Sequence, residues 1–214
     1  MRLQSANAFT FDSQEFNIYS LSQMKPDISI VVPAYEEEDR LGDSLRKILT
    51  YAEGLPIRSE LVVVDDGSRD KTAEVARQVC SEFEGALTKV IRYESNRGKG
   101  FAVKTGLLSA AADIALFSDA DLSTPIEEMH KLLDPIRDSE FDVTFGSRAL
   151  DRSLIGTHQP WRREQGGKVF NLVVRLMTGM PFWDTQCGFK AFDLTKFRPL
   201  LDVMKIDRFG FDVE

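Results

Sequence analysis

The feature that most constrains this chain is a series of short apolar runs, each followed by a segment with helical spacing. Apolar residues recur every three or four positions between the runs, as in Leu41, Leu45, Ile48 and Leu49. Strands that are apolar throughout and alternate with helices indicate an α/β fold with a mostly parallel central sheet and helices on both faces. Five runs predict strands: ISIVVPAY, ELVVVDD, LTKVIRY, DIALFSDAD and FDVTFGSR.

Composition narrows the class of protein. The chain has 214 residues, of which 43% are hydrophobic and 29% charged, so it can bury a globular core. Its net charge of -7 argues against a general nucleic-acid binder, although a local cluster of Arg and Lys would still hold a nucleotide. Cys80 and Cys187 form no disulfide framework or zinc motif, which fits a reducing, cytosolic setting.

The first 26 residues differ from the rest of the chain. They are polar with scattered aromatic residues, and they lack the basic start and apolar block of a signal peptide. We expect residues 1–26 to be a flexible or loosely docked extension and residues 27–214 to form the domain. No run approaches the roughly 18 apolar residues of a membrane span, so we expect a cytoplasmic location.

Acidic residues follow three of the predicted strands. They are Glu37 after the first strand, Asp65 and Asp66 after the second, and Asp119 and Asp121 after the fourth. In open α/β sheets, ligands bind beyond the carboxyl ends of the strands. Taken alone, the Asp-x-Asp pair is compatible with a metal site, a helix cap or a solvated loop. Three acidic strand ends on one edge favour a shared ligand or metal.

The strand ends at this edge carry acidic side chains rather than glycine-rich turns. Neither GxGxxG nor GxxxxGK[ST] follows a strand, so the usual phosphate-binding turns are missing from the sequence. Acids approach a phosphate through a cation, and Mg²⁺ or Mn²⁺ suits carboxylate and phosphate oxygens. Because residues i and i+2 share a side of an extended chain, Asp119 and Asp121 are predicted to face one ion. Thr124 is predicted to cap the next helix and Pro125 to begin it.

Several motifs resemble a known family. In order they are VVPAYEEE, VVVDDGSRDKT, NRGKG, FSDADLSTP, FGSRA, DTQCGFKAF and GFDVE. Over roughly residues 27–214 they are similar to the family 2 glycosyltransferases, whose GT-A fold is a Rossmann-like fold of nucleotide-diphospho-sugar transferases. DADLSTP and DTQCGFK are more similar to the branch of dolichyl-phosphate and polyprenyl-phosphate glycosyltransferases. Family members continue past GFDVE, so the resemblance implies a catalytic domain shortened at its C-terminal end.

The resemblance implies an activity. It is the inverting transfer of a hexose from a nucleotide-diphosphate sugar to a polyprenyl or dolichyl phosphate, with Mg²⁺ or Mn²⁺ as cofactor. UDP-glucose is favoured by DTQCGFK, and GDP-mannose stays open. The alternatives are a transferase acting on a saccharide hydroxyl and a nucleotide-sugar-binding module without turnover. Apart from the resemblance, our working expectation is peripheral contact with the cytoplasmic face of a membrane through residues 152–180, whereas the oligomeric state stays open.

The resemblance also implies donor-site residues. Asp65 or Asp66 would accept a hydrogen bond from the base, because uracil and guanine both offer ring N–H donors. Lys99 would lie near the base or the phosphates. Asp119 would face the ribose and the metal, and Asp121 the metal that bridges the diphosphate. The wall for the base and ribose would be formed by Pro33, Ala34, Tyr35 and Glu37.

Further implied roles lie in the last third of the chain. Arg148 and the pair Arg162 and Arg163 would contact phosphate of the donor or of the lipid acceptor, since the guanidinium fork grips phosphate bidentately. Gln186 would approach the acceptor or the sugar. An acceptor phosphate is already anionic and needs little help from a base. With a hydroxyl acceptor, a carboxylate must take the proton, and that base would be one of the two acids on the acceptor side, Asp212 or Glu214.

Overall fold

The computed structural model describes residues 25–146, 187–208 and 210–211. The strands are β1 (Ile28–Ala34), β2 (Ser59–Asp65), β3 (Leu87–Arg92), β4 (Ile114–Ser118), β5 (Val143–Phe145) and β6 (Phe189–Asp193). The helices are α1 (Leu41–Glu53), α2 (Thr72–Glu82), α3 (Lys99–Ser109), α4 (Met129–Arg137) and α5 (Leu194–Val203), with a 3₁₀ turn over Ile126–Glu128. Within these ranges, no helix has the length and apolar character needed to cross a membrane.

The strands form one sheet in the order β3-β2-β1-β4-β6-β5. β1 runs parallel to both β2 and β4, and β2 runs parallel to β3. β6 is antiparallel to its neighbours β4 and β5. The predicted α/β fold with a mostly parallel sheet is therefore confirmed, but the sequence pattern missed β6, which lies between the fourth and fifth predicted strands.

The core lies on both faces of the sheet. Every residue of β1 is buried, and successive side chains point to opposite faces. Ile30 and Val32 pack in the layer that contains α1, α2 and α4, whereas Val31 packs in the layer that contains α3 and α5. This two-sided burial explains why the strands are apolar throughout, and it confirms helices on both faces.

The helix after β4 begins later than its sequence predicts. Pro125 has an extended ψ of 139°, a 3₁₀ turn follows it, and α4 begins only at Met129. No side chain makes a capping hydrogen bond at either start, so the predicted cap at Thr124 is wrong. The physical reason is that Pro125 is itself extended and does not form the first helical residue, so Thr124 does not lie next to a helix start.

Candidate functional site

A small cavity opens where the carboxyl end of β4 meets the beginning of β6. The main-chain N–H of Asp119 donates to the carbonyl of Gly188 at 2.9 Å, which continues the ladder between these strands by one step. The residues that line the cavity are Asp119, Ser123, Thr124, Cys187 and Gly188. The cavity thus lies at the carboxyl edge of the parallel strands, where open α/β sheets bind ligands. Asp119 is the acidic residue among those that line it.

Asp119 is paired with Lys99. The Lys99 Nζ lies 2.7 Å from Asp119 Oδ1, and both side chains keep about a quarter of their surface exposed, 27% and 28%. The same ammonium lies 5.4 Å from the centre of the Phe117 ring, within the range of a cation–π interaction. The structure therefore brings together two of the predicted site residues, one acidic and one basic, at the mouth of the cavity.

Gly188 leaves the space that the Asp119 carboxylate occupies. A Cβ placed on Gly188 would stand 1.8 Å from Asp119 Oδ2 and 2.1 Å from its Cγ. No side chain fits there unless the carboxylate moves. The sequence does not reveal why glycine is needed at position 188. Gly188 lies 69 residues after Asp119 in the chain, and only the pairing of β6 with β4 brings the two together.

Asp121 has a different environment from Asp119. β4 ends at Ser118, and the N–H of Leu122 donates to the Asp119 carbonyl at 3.1 Å, so residues 119–122 form a turn. The expectation that both acids lie on one side of an extended strand is therefore wrong. The Oδ1 of Asp121 accepts hydrogen bonds from the N–H of Ser123 at 2.9 Å and from its hydroxyl at 2.7 Å.

The residues present fit a divalent ion that is completed by its substrate. No group of three or more His, Cys, Asp or Glu that could hold a metal occurs in the described part of the chain. Mg²⁺ is, however, commonly held by one or two carboxylates plus phosphate oxygens and waters. Within the described residues, the Oδ2 atoms of Asp119 and Asp121 accept no hydrogen bond, so each has an oxygen to offer.

Asp65 is a buried acid at the end of β2. Its side chain is fully buried, and its Oδ1 accepts hydrogen bonds from the N–H of Ser68 at 3.0 Å and from the Ser68 hydroxyl. The Arg92 Nε lies 3.3 Å from Oδ2, but the geometry is too poor for a hydrogen bond. Oδ2 thus keeps accepting capacity among the described residues.

Asp66 uses both oxygens to hold the NRGKG segment. Oδ1 accepts from the N–H of Arg97, and Oδ2 accepts from the N–H of Gly98 and the side-chain amide of Asn96, all at 2.8 Å. The main-chain N–H of Asp66 donates to the carbonyl of Ala34 at 2.9 Å. Asn96 lies in the NRGKG motif, and the sequence assigns it no role because only the folded loop reveals its partner.

The segment after β1 presents one exposed ring. Pro33 and Ala34 are buried and pair with Val64 and Asp65 of β2, so they support the edge. Tyr35 is 40% exposed, and a hydrogen bond with Glu36, ahead of burial, raises the pKa of its hydroxyl. Of the predicted wall, Tyr35 is therefore the member open to a ligand.

Glu37, the acidic member of the predicted wall, is engaged within the protein. Arg40 donates to both carboxylate oxygens of Glu37 at 2.7 Å, and the N–H of Glu37 donates to the Thr72 hydroxyl at 2.8 Å. Several predicted site residues lie outside the described residues: Arg148, Arg162, Arg163, Gln186, Asp212 and Glu214.

Comparison with known proteins identifies the family. Residues 29–199 match the family model described as Glycosyl transferase family 2. The chain belongs to glycosyl transferase family 2. It is 36% identical to the dolichyl-phosphate beta-glucosyltransferase of Drosophila melanogaster, over 88% of this chain and 61% of the fly protein. It is 33% identical to the human protein of the same name, over 87% of this chain and 61% of that protein. The chain thus spans about three fifths of these family 2 relatives.

Solved structures show the same fold at lower identity. The mannosyltransferase PcManGT from Pyrobaculum calidifontis, in complex with GDP-Man and Mn²⁺, has a TM-score of 0.58 and 21% identity over 86% of this chain and 50% of its own. Glucosyl-3-phosphoglycerate synthase from Mycobacterium tuberculosis, in complex with Mn²⁺, UDP-Glc and phosphoglyceric acid, has a TM-score of 0.55 and 19% identity over 88% of this chain and 63% of its own. The family 2 chain therefore has the GT-A fold.

Proposed function

We propose that this chain carries the catalytic domain of an inverting hexosyltransferase that moves glucose from UDP-glucose to dolichyl or another polyprenyl phosphate. The observation that carries the proposal is the Lys99–Asp119 pair, followed by Asp121, at the carboxyl edge of the sheet. The names of the fly and human relatives support the substrates. GDP-mannose is the second donor, since one solved neighbour holds GDP-Man.

The donor would lie along the edge formed by β1, β2 and β4. Tyr35 offers an exposed side chain, whereas Asp65 is fully buried beside Arg92, and its Oδ2, although without a hydrogen bond, does not reach the surface. Both oxygens of Asp66 are already occupied by the protein. Lys99 would place its charge beside the diphosphate, where an ammonium acts as a point charge.

Asp119 and Asp121 would hold a divalent ion, and Mn²⁺ is the first choice because two solved neighbours contain it. When bound, such an ion stabilises charge on the departing diphosphate. An oxygen of the acceptor phosphate forms the bond to the anomeric carbon while the bond to the UDP oxygen breaks. UDP leaves with the electron pair, and the anionic acceptor needs no protein base.

The residues outside the described ranges complete the proposal. Arg148 and Arg163 would bind phosphate, and Gln186 would orient the sugar or the acceptor. Asp212 would line the acceptor side and would be a base only with a hydroxyl acceptor. We further propose that the protein acts at the cytoplasmic face of a membrane, because the proposed acceptor, a polyprenyl phosphate, is a lipid.

Asp121→Ala tests the assignment. We expect transfer of radiolabelled glucose from UDP-glucose to dolichyl phosphate in Mn²⁺ to fall about 100-fold or more, as for loss of a group that stabilises a transition state. Asp134→Ala, which removes an exposed acid of α4, is the matched control and should keep wild-type transfer. Undiminished transfer by Asp121→Ala would overturn the metal assignment.

Parallel arms separate the alternatives. GDP-mannose in place of UDP-glucose tests the donor, and a saccharide acceptor in place of dolichyl phosphate tests the acceptor. Calorimetry of UDP with and without Mn²⁺ tests binding alone. Metal-dependent UDP binding without transfer to any acceptor would identify a binding module rather than an enzyme.

A further inference from the structure

We propose that Asp66 is a positioning residue that fixes the start of α3 and thereby holds the Lys99 ammonium against Asp119. The consequence for donor binding rests on the function proposed above, whereas the effect on Lys99 does not. In this arrangement Asp66 touches no substrate and acts through Lys99.

The first step is the set of bonds around Asp66. The residue is 3% exposed, and its carboxylate accepts three hydrogen bonds from the segment that precedes α3. Two of the donors are consecutive main-chain N–H groups, of Arg97 and Gly98, so the carboxylate fixes the path of the backbone and not only a side chain. Bonds to a charged acceptor are the stronger kind of protein hydrogen bond.

The second step is the conformation that these bonds hold. Gly98 has a φ of +110°, a region that side chains rarely adopt, and a Cβ there would stand 2.6 Å from the Asp207 carbonyl oxygen. α3 begins at the next residue, Lys99. The N–H of Phe101 donates to the Asp207 carbonyl at 2.9 Å, which holds the other side of the turn. The direction in which Lys99 leaves the backbone is therefore set by this turn.

The third step is the position of Lys99 itself. A helix N-terminus carries a partial positive charge and disfavours a lysine in the first turn. Asp119, rather than the helix, supplies the favourable partner, at 2.7 Å. The lysine stem has four rotatable bonds, so a fixed backbone is what limits the positions its ammonium reaches. Asp66 supplies that constraint from the neighbouring strand end.

Asp66→Asn tests this chain of contacts with little change in volume. An amide has one accepting oxygen, and its NH₂ group would face N–H donors in place of the second oxygen. The turn would then loosen and Lys99 would leave Asp119. Glu60→Gln is the matched control: Glu60 is also buried, and its carboxylate accepts from Ala111 just beyond the opposite end of α3.

The first measurement needs no ligand. Lysines of the free protein are acetylated with acetic anhydride, and the rate at Lys99 is read by mass spectrometry after digestion. Asp66→Asn should raise that rate about two- to fivefold, the range that matches loss of a partly exposed ion pair, and Glu60→Gln should not. An unchanged rate in a folded Asp66→Asn protein would overturn the proposal. If Asp66→Asn fails to fold, Asn96→Ala can replace it, because it removes one exposed donor to Asp66. This variant should give a smaller rise in the acetylation rate at Lys99, and the absence of that rise would equally overturn the proposal.

The second measurement asks whether Asp66 acts through Lys99. Calorimetry of UDP with Mn²⁺ should show binding about tenfold weaker in Asp66→Asn, the order expected within one hydrogen-bond network. In a Lys99→Met background, Asp66→Asn should cause almost no further loss, whereas additive losses would contradict positioning. If the wild-type protein binds no nucleotide, the proposed function fails, and the acetylation rates still decide the role of Asp66.

Discussion

Gly188→Ala is predicted to remove metal-dependent nucleotide binding while leaving the fold in place. The new methyl group would stand 1.8 Å from Asp119 Oδ2 and 2.4 Å from Oδ1. The carboxylate must retreat by about 1.6 Å, the difference between 1.8 Å and an ordinary contact of 3.4 Å. The Lys99 ammonium must then follow the carboxylate or lose its 2.7 Å contact with Asp119.

The magnitude follows from this displacement. A misplacement of about 1 Å at a reacting centre costs roughly 100-fold in rate, so we expect at least that loss in glucose transfer. Overpacking in a well-packed site costs about 1–3 kcal/mol of stability, and the lower end applies because a side-chain terminus moves rather than backbone. We expect the variant to keep the bond from the Asp119 N–H to the carbonyl of residue 188, because alanine leaves that main-chain carbonyl in place.

The assay pairs Mn²⁺-dependent UDP calorimetry with unfolding in urea. Gly85→Ala is the control, because a Cβ on Gly85 would meet nothing within 4 Å. We expect Gly85→Ala to bind UDP as the wild type does. Wild-type affinity and transfer in Gly188→Ala would refute the reasoning that ties this glycine to the carboxylate.

Two further predictions concern stability. Burial would raise the pKa of Asp70, but hydrogen bonds from Thr72 and from the N–H of Glu38 outweigh burial and lower that pKa. The Asp70 carboxylate therefore stabilises the fold at pH values above its ordinary pKa. This stabilisation is lost as the pH falls through the lowered pKa of the folded protein. Asp70→Asn should therefore lower the melting temperature at pH 7. The melting temperature of this variant should also fall less than that of the wild type on acidification below about pH 4. An identical dependence of melting temperature on pH would contradict this prediction. Gly106→Ala should lower the stability measured in urea, because its Cβ would meet Val31 Cγ1 at 2.3 Å. Overpacking costs about 1–3 kcal/mol and alanine gains about 1 kcal/mol in helix propensity, so the net loss is expected to be up to about 2 kcal/mol. A variant more stable than the wild type would be the contrary result.

The sheet could be predicted where burial alone determines the pattern. β1 and β2 are buried almost throughout, so their apolar runs identify them without knowledge of any partner. β6 escaped because its sequence, FKAFD, contains a lysine, and the strand exists through pairing with two neighbours that are distant in the chain. Lys190 is buried and lies 5.5 Å from the centre of the Phe211 ring, an environment that only the tertiary structure supplies.

The site could be predicted in its location but not in its internal contacts. Three acidic strand ends meet at one edge, as the rule for open α/β sheets requires. The division between Asp65 and Asp66 could not be read from the sequence, because it depends on how the loop at residues 96–98 folds over Asp66. The pairing of Lys99 with Asp119 likewise requires the start of α3 to be placed against β4.

The most direct test of the account is the structure of the lipid product that the wild-type protein forms. UDP-glucose and dolichyl phosphate are incubated with the protein in Mn²⁺ or in excess chelator, and the organic extract is examined by mass spectrometry and by NMR of the anomeric proton. We predict a glucosyl-phospho-dolichol of inverted, β configuration in Mn²⁺ and little or none with chelator. A product of retained configuration, or equal product in the presence of chelator, would contradict it.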